Sequence, residues 1–241
     1  MPDESNFISG IHNYCDRWCE RCEFTERCRV FEADMGTSDD EKDPGNEAFV
    51  RNLTNILTQA KAMLLEKAEA FGIEIDEELI AKSAAQRELK RGAVTVDELA
   101  RLADEYAWSC RPVLESRDEW LASSLVDEEV QAEVLRVVYW YQFFISAKIQ
   151  RGLGGILDED GETDFDEIGD AQSDANGSIK IALIAIERSI LAWTFLLDEG
   201  NSKIIRPLVH LLEETLRLAE QKFPNARDFV RPGFDEIETV M

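Results

Sequence analysis

Basic residues are scarce in this sequence. It has 26 lysines and arginines against 50 aspartates and glutamates, which gives a formal net charge of −24 at pH 7 and an isoelectric point near 4.4. Such a surface repels phosphate groups, and the counterion release that drives nucleic-acid binding requires contacts from lysine and arginine. The composition therefore argues against nucleic acid as a partner and favours a protein with a basic surface or a bound cation.

The sequence also lacks an apolar stretch long enough to span a bilayer. The longest one, Ile181 to Leu197, is interrupted by Glu187 and Arg188, and it falls short of the roughly 20 apolar residues that a spanning helix needs. We expect it to be a buried core helix. The opening residues Met-Pro-Asp-Glu-Ser have neither the basic nor the apolar region of a secretory signal, so we predict a soluble, cytoplasmic protein.

Alternating β-branched runs with hairpin turns are missing as well. Apolar residues instead recur at spacings of three and four, which is the pattern of helices that bury one face. We therefore predict an all-α fold, an antiparallel helical bundle of about four long helices plus two shorter ones, with an N-terminal cysteine-rich segment docked on it. The predicted helices lie near residues 46–71, 76–91, 95–112, 127–151, 179–197 and 201–223.

Two parts of the chain differ in composition. Residues 1–36 form the predicted cysteine-rich segment and residues 47–233 the predicted helical bundle domain, with a linker rich in Asp, Gly and Pro between them. The helix near 46–71 is expected to bury an apolar stripe, whereas the next two helices are less apolar and are expected to pack outside.

Local signals predict where some helices begin and end. Thr95 and Glu98 form a capping-box pattern, and Pro112 is expected to close the helix that follows it. The glycines at 152, 154 and 155 are expected to end the helix near 127–151 and to form a hinge.

Cysteine is rare, with five residues in 241, yet four of them occur within 14 positions. In a protein that is not secreted, clustered cysteines favour metal ligation over disulfides because the compartment keeps thiols reduced. Soft thiolates select Zn²⁺ or an iron–sulfur cluster. The predicted ligands, with His12 as a substitute, have the spacing C-x3-C-x2-C-x5-C and are Cys15, Cys19, Cys22 and Cys28.

Helix geometry and cysteine spacing both bear on the identity of the metal. If the segment were a straight helix, Cys15 and Cys22 would lie about 10 Å apart along its axis, too far for one zinc ion with Zn–S bonds near 2.3 Å. Tightly spaced cysteine runs are also characteristic of cluster ligation, whereas structural zinc sites usually pair two separated C-x2-C elements. A [4Fe–4S] cluster is therefore favoured slightly over zinc. The alternative is that these cysteines serve core packing or a labile disulfide.

The first three cysteines resemble the C-x3-C-x2-C motif of radical S-adenosylmethionine enzymes. The resemblance covers residues 15–22 and implies a β/α barrel, whereas this sequence predicts no strands. The nearby Cys28 would also fill the iron position that such chemistry leaves open. We therefore do not assign the chain to that family.

The predicted function is that of a metal-binding helical protein with an accessory, redox or protein-interaction role. The alternative is an enzyme or small-molecule binder with a polar site inside the bundle, near Glu187, Glu133 and His210. Glu187 interrupts the most apolar helix, where a charge is costly unless it is paired or functional. A salt-bridge seam with Glu133 or Arg136 is the structural interpretation of the same residues. Cys110, far from the other cysteines, is expected to be a small buried apolar residue.

Overall fold

The structure is a computed structural model that describes residues 6–122, 126–157 and 163–235. Within these ranges it is helical and contains no β-strand, only a single bridge between Leu157 and Thr163. The prediction of an all-α fold is confirmed. The helices are α1 (Arg29–Met35), α2 (Asp39–Lys42), α3 (Glu47–Ala70), α4 (Glu77–Val96), α5 (Glu98–Glu115), α6 (Arg117–Leu121), α7 (Glu128–Tyr141), α8 (Phe144–Gly155), α9 (Phe165–Gly169), α10 (Asp174–Leu196) and α11 (Ser202–Lys222).

The chain divides into two compact units, and the boundary between them falls within α4. The first unit comprises Cys19–Arg87 together with the described residues before Gly10. The second comprises Gly10–Trp18 and the chain from Glu88 onward. Both units therefore contain part of the predicted cysteine-rich segment, and docking of the whole segment 1–36 stays a prediction.

Helix α10 is the centre of the second unit. It is described throughout and buries 14 of its 23 residues, because α7, α8 and α11 all pack against it. Helix α5 completes the bundle through contacts with α8 and α11. The nearly continuous apolar surface of α10 predicted this central place, since a helix with neighbours on several sides has no face left for water. In the described parts of the chain, no helix is long and apolar enough to cross a membrane.

A close approach of α8 to α10 depends on a glycine. A Cβ atom at Gly152 would lie 2.6 Å from Cδ1 of Ile179 and 3.3 Å from the carbonyl oxygen of Ala175. Helix α8 does end among the predicted glycines, at Gly155. Gly152, however, is buried inside the last turns of the helix, and it acts as a packing residue there instead of a helix stop.

Helix α5 begins and ends differently from the prediction. Asp97 caps it by accepting a hydrogen bond from the N–H of Leu99 at 3.0 Å, whereas Thr95 lies inside α4. The helix continues through Pro112 to Glu115. A proline inside a helix removes one backbone hydrogen bond, and burial of side chains before and after Pro112 offsets that loss.

The expected outer position of α5 is wrong. Its buried residues face α8 and α11 and are Leu99, Ala100, Ala103, Tyr106, Ala107, Cys110 and Leu114. Most of these side chains are small, so they contribute little to an apolar pattern although they pack fully. The expectation that Cys110 is a small buried residue is confirmed, since none of it is exposed.

The helix predicted over residues 127–151 is divided in two. α7 ends at Tyr141 and α8 begins at Phe144. At this break the buried side chain of Gln142 donates a hydrogen bond to the carbonyl oxygen of Ala107 at 2.7 Å. A buried amide needs such a partner, and the contact fixes the break against α5.

Helix α3 does not bury the stripe that its sequence predicts. The helix is described throughout, and Ala68 is its one buried residue. From Val50 to Phe71 the large apolar side chains are exposed by 44% to 78%. They belong to Val50, Leu53, Ile56, Leu57, Met63, Leu64, Leu65 and Phe71.

The α8–α10 contact can be tested with two alanine substitutions in the same helix. Gly152→Ala should lower the free energy of unfolding by about 1–3 kcal/mol, because the added methyl group overlaps Ile179. Gly154→Ala is the control: a Cβ there meets nothing within 4 Å, so alanine should raise stability by roughly 0.5–1 kcal/mol through its helix propensity. Urea unfolding followed by circular dichroism measures both, and equal shifts would contradict the packing role.

Candidate metal site

The cysteine-rich segment is not a straight helix. Short 3₁₀ turns span Ile11–Asn13, Cys19–Arg21 and Thr25–Arg27, and α1 begins only after them. Arg17 has a φ of 60°, a left-handed conformation that costs a non-glycine residue about 1–2 kcal/mol. The straight-helix geometry that counted against zinc is therefore wrong, and the spacing along a helix axis no longer favours a cluster over zinc.

Three of the predicted ligands lie at the ends of turns in the first unit. The N–H of Cys22 donates to the carbonyl oxygen of Cys19 at 3.2 Å, and the N–H of Cys28 donates to that of Thr25 at 3.2 Å. Cys19 begins the first of these turns and Cys22 follows it directly, so the backbone bond brings the main chains of these two residues together.

Residues before Gly10 support this turn structure. The N–H of Ile8 donates to the carbonyl oxygen of Arg27 at 3.0 Å, and the Arg27 side chain donates to the carbonyl oxygen of Asn6 at 3.2 Å. The guanidinium of Arg29 lies 4.5 Å from the centre of the Phe7 ring. These contacts hold the backbone on both sides of Cys28.

Cys15 belongs to the second unit and is half-buried. Its thiol lies 3.6 Å from the carbonyl oxygen of His12. Burial raises the pKa of the Cys15 thiol, while the positive charges of Arg17 and Lys148 act in the opposite direction. Lys148 also donates to the carbonyl oxygen of Asn13 at 2.9 Å. Burial is the larger effect, so the pKa of this thiol lies above its ordinary value and the two cations only reduce the shift.

The residues around Cys15, Gly10–Trp18, are here named the anchor segment, and Asp16 is its main polar contact. One carboxylate oxygen of Asp16 accepts hydrogen bonds from Tyr141 and Arg188, both at 2.7 Å. The other accepts from the backbone N–H of Trp18 at 3.1 Å, and the carbonyl oxygen of Asp16 accepts from the Trp140 indole at 2.8 Å. One residue thus ties the anchor segment to α7 and α10.

Aromatic packing holds the middle of the anchor segment and its C-terminal end. Trp18 stacks on Trp140 with ring centres 5.1 Å apart. Tyr14 packs on Phe229 at 4.5 Å and donates a hydrogen bond to Asp174 at 2.9 Å. A Cβ atom at Gly177 would lie 2.5 Å from the Tyr14 ring, so a glycine in α10 makes room for this side chain.

Local charge distinguishes the cysteine run from the rest of the chain. Residues 15–29 contain four acidic residues and four arginines, which gives a net charge of zero in a chain of −24. Four thiolates add negative charge wherever they bind a metal. The arginines therefore make this stretch more tolerant of thiolate ligands than the acidic remainder.

The predicted ligands are divided between the two units. Cys19, Cys22 and Cys28 lie in the first unit and Cys15 in the second. Throughout residues 6–122, 126–157 and 163–235, no group of three or more His, Cys, Asp or Glu residues is arranged to hold a metal ion. His12 contacts Cys15 through its backbone, so its substitute role rests on the sequence alone.

The three residues named for a polar site inside the bundle lie at the surface. Glu187 pairs with Arg227 at 2.7 Å, Glu133 pairs with Arg136 at 3.0 Å, and His210 lies 4.0 Å from Glu214. Their side chains are 41%, 54% and 70% exposed. This arrangement agrees with the salt-bridge interpretation, although Glu187 pairs with Arg227 instead of the expected Glu133 or Arg136.

A buried polar contact that the sequence did not reveal joins α5 to α10. The indole N–H of Trp193 donates to the hydroxyl oxygen of Tyr106 at 3.1 Å, and both residues are fully buried. Cys110 lies one turn from Tyr106, and burial raises the pKa of its thiol to about 12. The thiol is thus protonated and unreactive near neutral pH. The spacing of Tyr106 and Cys110 on one helix face is the signal that sequence analysis could have used.

Comparisons with known proteins add no assignment. No protein-family model matches the chain, and neither the curated proteins nor the solved structures contain a significant match. The function is therefore inferred from the residues themselves.

Removal of the Asp16 carboxylate should loosen the anchor segment. Asp16→Ala should lower the free energy of unfolding by about 1–3 kcal/mol. The hydrogen bonds to a charged acceptor are lost, and the hydroxyl of the buried Tyr141 is left without an acceptor for its proton. Glu115→Ala is the control, since its pair with Arg111 is exposed and should contribute at most about 0.5 kcal/mol. Urea unfolding measures both, and an Asp16 effect no larger than the control would refute the anchoring role.

The five thiols should react in two groups at pH 8. Cys110 should react with Ellman's reagent only after unfolding, because it is buried and its pKa is about 12. The four half-buried cysteines should react in the folded, metal-free protein. Five fast thiols in the folded state would contradict this description of the α5–α10 contact.

Proposed function

We propose that the protein is a metal-binding helical protein whose ligands are Cys15, Cys19, Cys22 and Cys28. The observation that carries the proposal is their spacing, four of five cysteines within 14 positions. The turn that brings the main chains of Cys19 and Cys22 together supports it. The local neutrality of residues 15–29 supports it as well.

Cysteine thiolates are ligands for both zinc and a [4Fe–4S] cluster. Four thiolates suit either group, and in both cases the protein ligands fill the coordination positions. A closed site of this kind serves structure, electron transfer or cluster sensing, since a catalytic metal keeps an open position. We therefore infer an accessory, redox or protein-interaction role, not Lewis-acid catalysis at the metal.

The anchor segment connects Cys15, one of the proposed ligands, to the helical bundle. Cys15 precedes Asp16 directly, and Asp16 contacts α7 and α10 through Tyr141 and Arg188. A change in the metal state at Cys15 would thus act on a residue that the bundle holds. The acidic surface of the chain, with its charge of −24, favours a basic protein as the partner that senses this change. Reduced thiols suit a cytoplasmic location.

Metal content tests the proposal directly. Protein purified without oxygen and without chelator should contain about one zinc ion per chain, or about four iron atoms with a broad absorbance near 400 nm as thiolate-bound clusters give. Either result supports metal binding and identifies the metal. A protein that contains neither metal, and that binds neither after reconstitution with zinc or with iron and sulfide, would overturn the proposal.

Two cysteine variants separate ligation from general damage. Cys22→Ser should lose the metal, because a hydroxyl is a poor substitute for a soft thiolate ligand. Cys110→Ala should keep wild-type metal content, since Cys110 is buried against Tyr106 in the bundle. Circular dichroism should show that both variants remain helical. Unchanged metal content in Cys22→Ser would contradict the ligand assignment.

A further inference from the structure

Helix α3 presents an apolar surface that its own unit does not cover. Eight large apolar side chains between Val50 and Phe71 are each at least 44% exposed, and α2 packs only near the N-terminal end, where Asn46 donates to Asp40 at 3.1 Å. Monomeric proteins rarely expose contiguous apolar patches larger than a few hundred Å². An exposed surface of this kind marks a place of association.

The spacing along α3 is that of a helix that pairs with another helix. Val50, Leu57, Leu64 and Phe71 follow one another at intervals of seven residues, with Leu53 and Ala60 between them. Steps of three and four alternate from Val50 to Leu64, and Lys67 interrupts the pattern before Phe71. An alternation of this kind produces the seam along which two helices pair. At 1.5 Å per residue, the uninterrupted seam from Val50 to Leu64 is about 21 Å long.

The charge of this region decides which partner fits it. α3 contains three acidic and three basic residues, and residues 47–96 contain eight acidic and seven basic residues, a net charge of −1. The rest of the chain therefore has nearly all of the negative charge. A basic partner would be attracted to that remainder and not to α3. A neutral apolar surface is what α3 requires, and α3 of a second copy provides one.

We propose that two copies of the chain associate through α3. Its uncharged surface lets the copies meet where the repulsion between two chains of −24 is weakest. A standard interface takes about 20–30 residues from each partner, with an apolar core. The exposed apolar residues of α3 would form that core, and those that follow it in the first unit extend it: Ile73, Ile75, Leu79 and Ile80.

Sedimentation equilibrium of the full chain over a range of concentrations tests this association. The expected mass at high concentration is twice the 27.4 kDa of one chain. Raising the salt concentration should strengthen the dimer, because screening reduces repulsion between two acidic copies. A complex with a basic partner would weaken instead. A mass of one chain at every concentration and salt level overturns the proposal.

Substitutions on the two sides of α3 locate the interface. Leu57→Glu combined with Leu64→Glu should raise the dissociation constant at least a hundredfold, since both side chains lie in the seam. Both are more than 60% exposed in the single chain, so circular dichroism should show an unchanged fold. Asn55→Glu combined with Ala62→Glu adds the same two charges on the opposite side of the helix and should change the dissociation constant less than threefold. Equal effects on both sides, or none on either, would overturn the assignment of α3.

The association does not depend on the proposed metal site. Cys22→Ser should therefore dimerise as the wild type does, whatever its metal content. A variant without metal that still dimerises leaves the α3 proposal intact, whereas loss of the dimer in Cys22→Ser would contradict an interface that is independent of the metal site.

Discussion

The second unit is arranged around α10, whose apolar surface must be shielded from water on every side. A helix that is apolar almost all round is stable in water only where neighbours surround it, and α7, α8 and α11 meet this requirement. Two glycines let the neighbours come close: Gly152 admits Ile179, and Gly177 admits Tyr14. The anchor segment is part of the same cover, because Tyr14 and Asp16 both contact α10. The surroundings of Cys15 are therefore fixed by the core itself.

Charge distribution separates the parts of this chain that can associate from those that repel. An acidic surface of −24 discourages contacts with other acidic molecules. Two stretches escape this rule: residues 15–29 are neutral, and residues 47–96 are nearly so. The first contains the cysteines, whose thiolates need positive neighbours, and the second contains the exposed apolar helix α3. The proposed metal site and the proposed dimer interface therefore both lie in stretches with almost no net charge.

The sequence predicted elements whose stability is local and missed those that depend on distant partners. The all-α fold and the central place of α10 follow from apolar periodicity. α5 was placed outside because its buried face uses small residues such as Ala103 and Cys110, which periodicity barely registers. The apolar stripe on α3 indicates that another surface packs against this helix, but the stripe does not identify that surface. Asp16 was missed because Arg188, its partner, is 172 residues away, and no local pattern joins them.

The central claim is that four cysteine thiolates bind one metal centre. X-ray absorption at the zinc or iron edge tests it most directly, because the fine structure counts the atoms bound to the metal. We expect only sulfur atoms to be bound to the metal, with four sulfur ligands around zinc at about 2.3 Å or sulfur from cysteine and sulfide around iron. A first shell dominated by nitrogen or oxygen would contradict the claim.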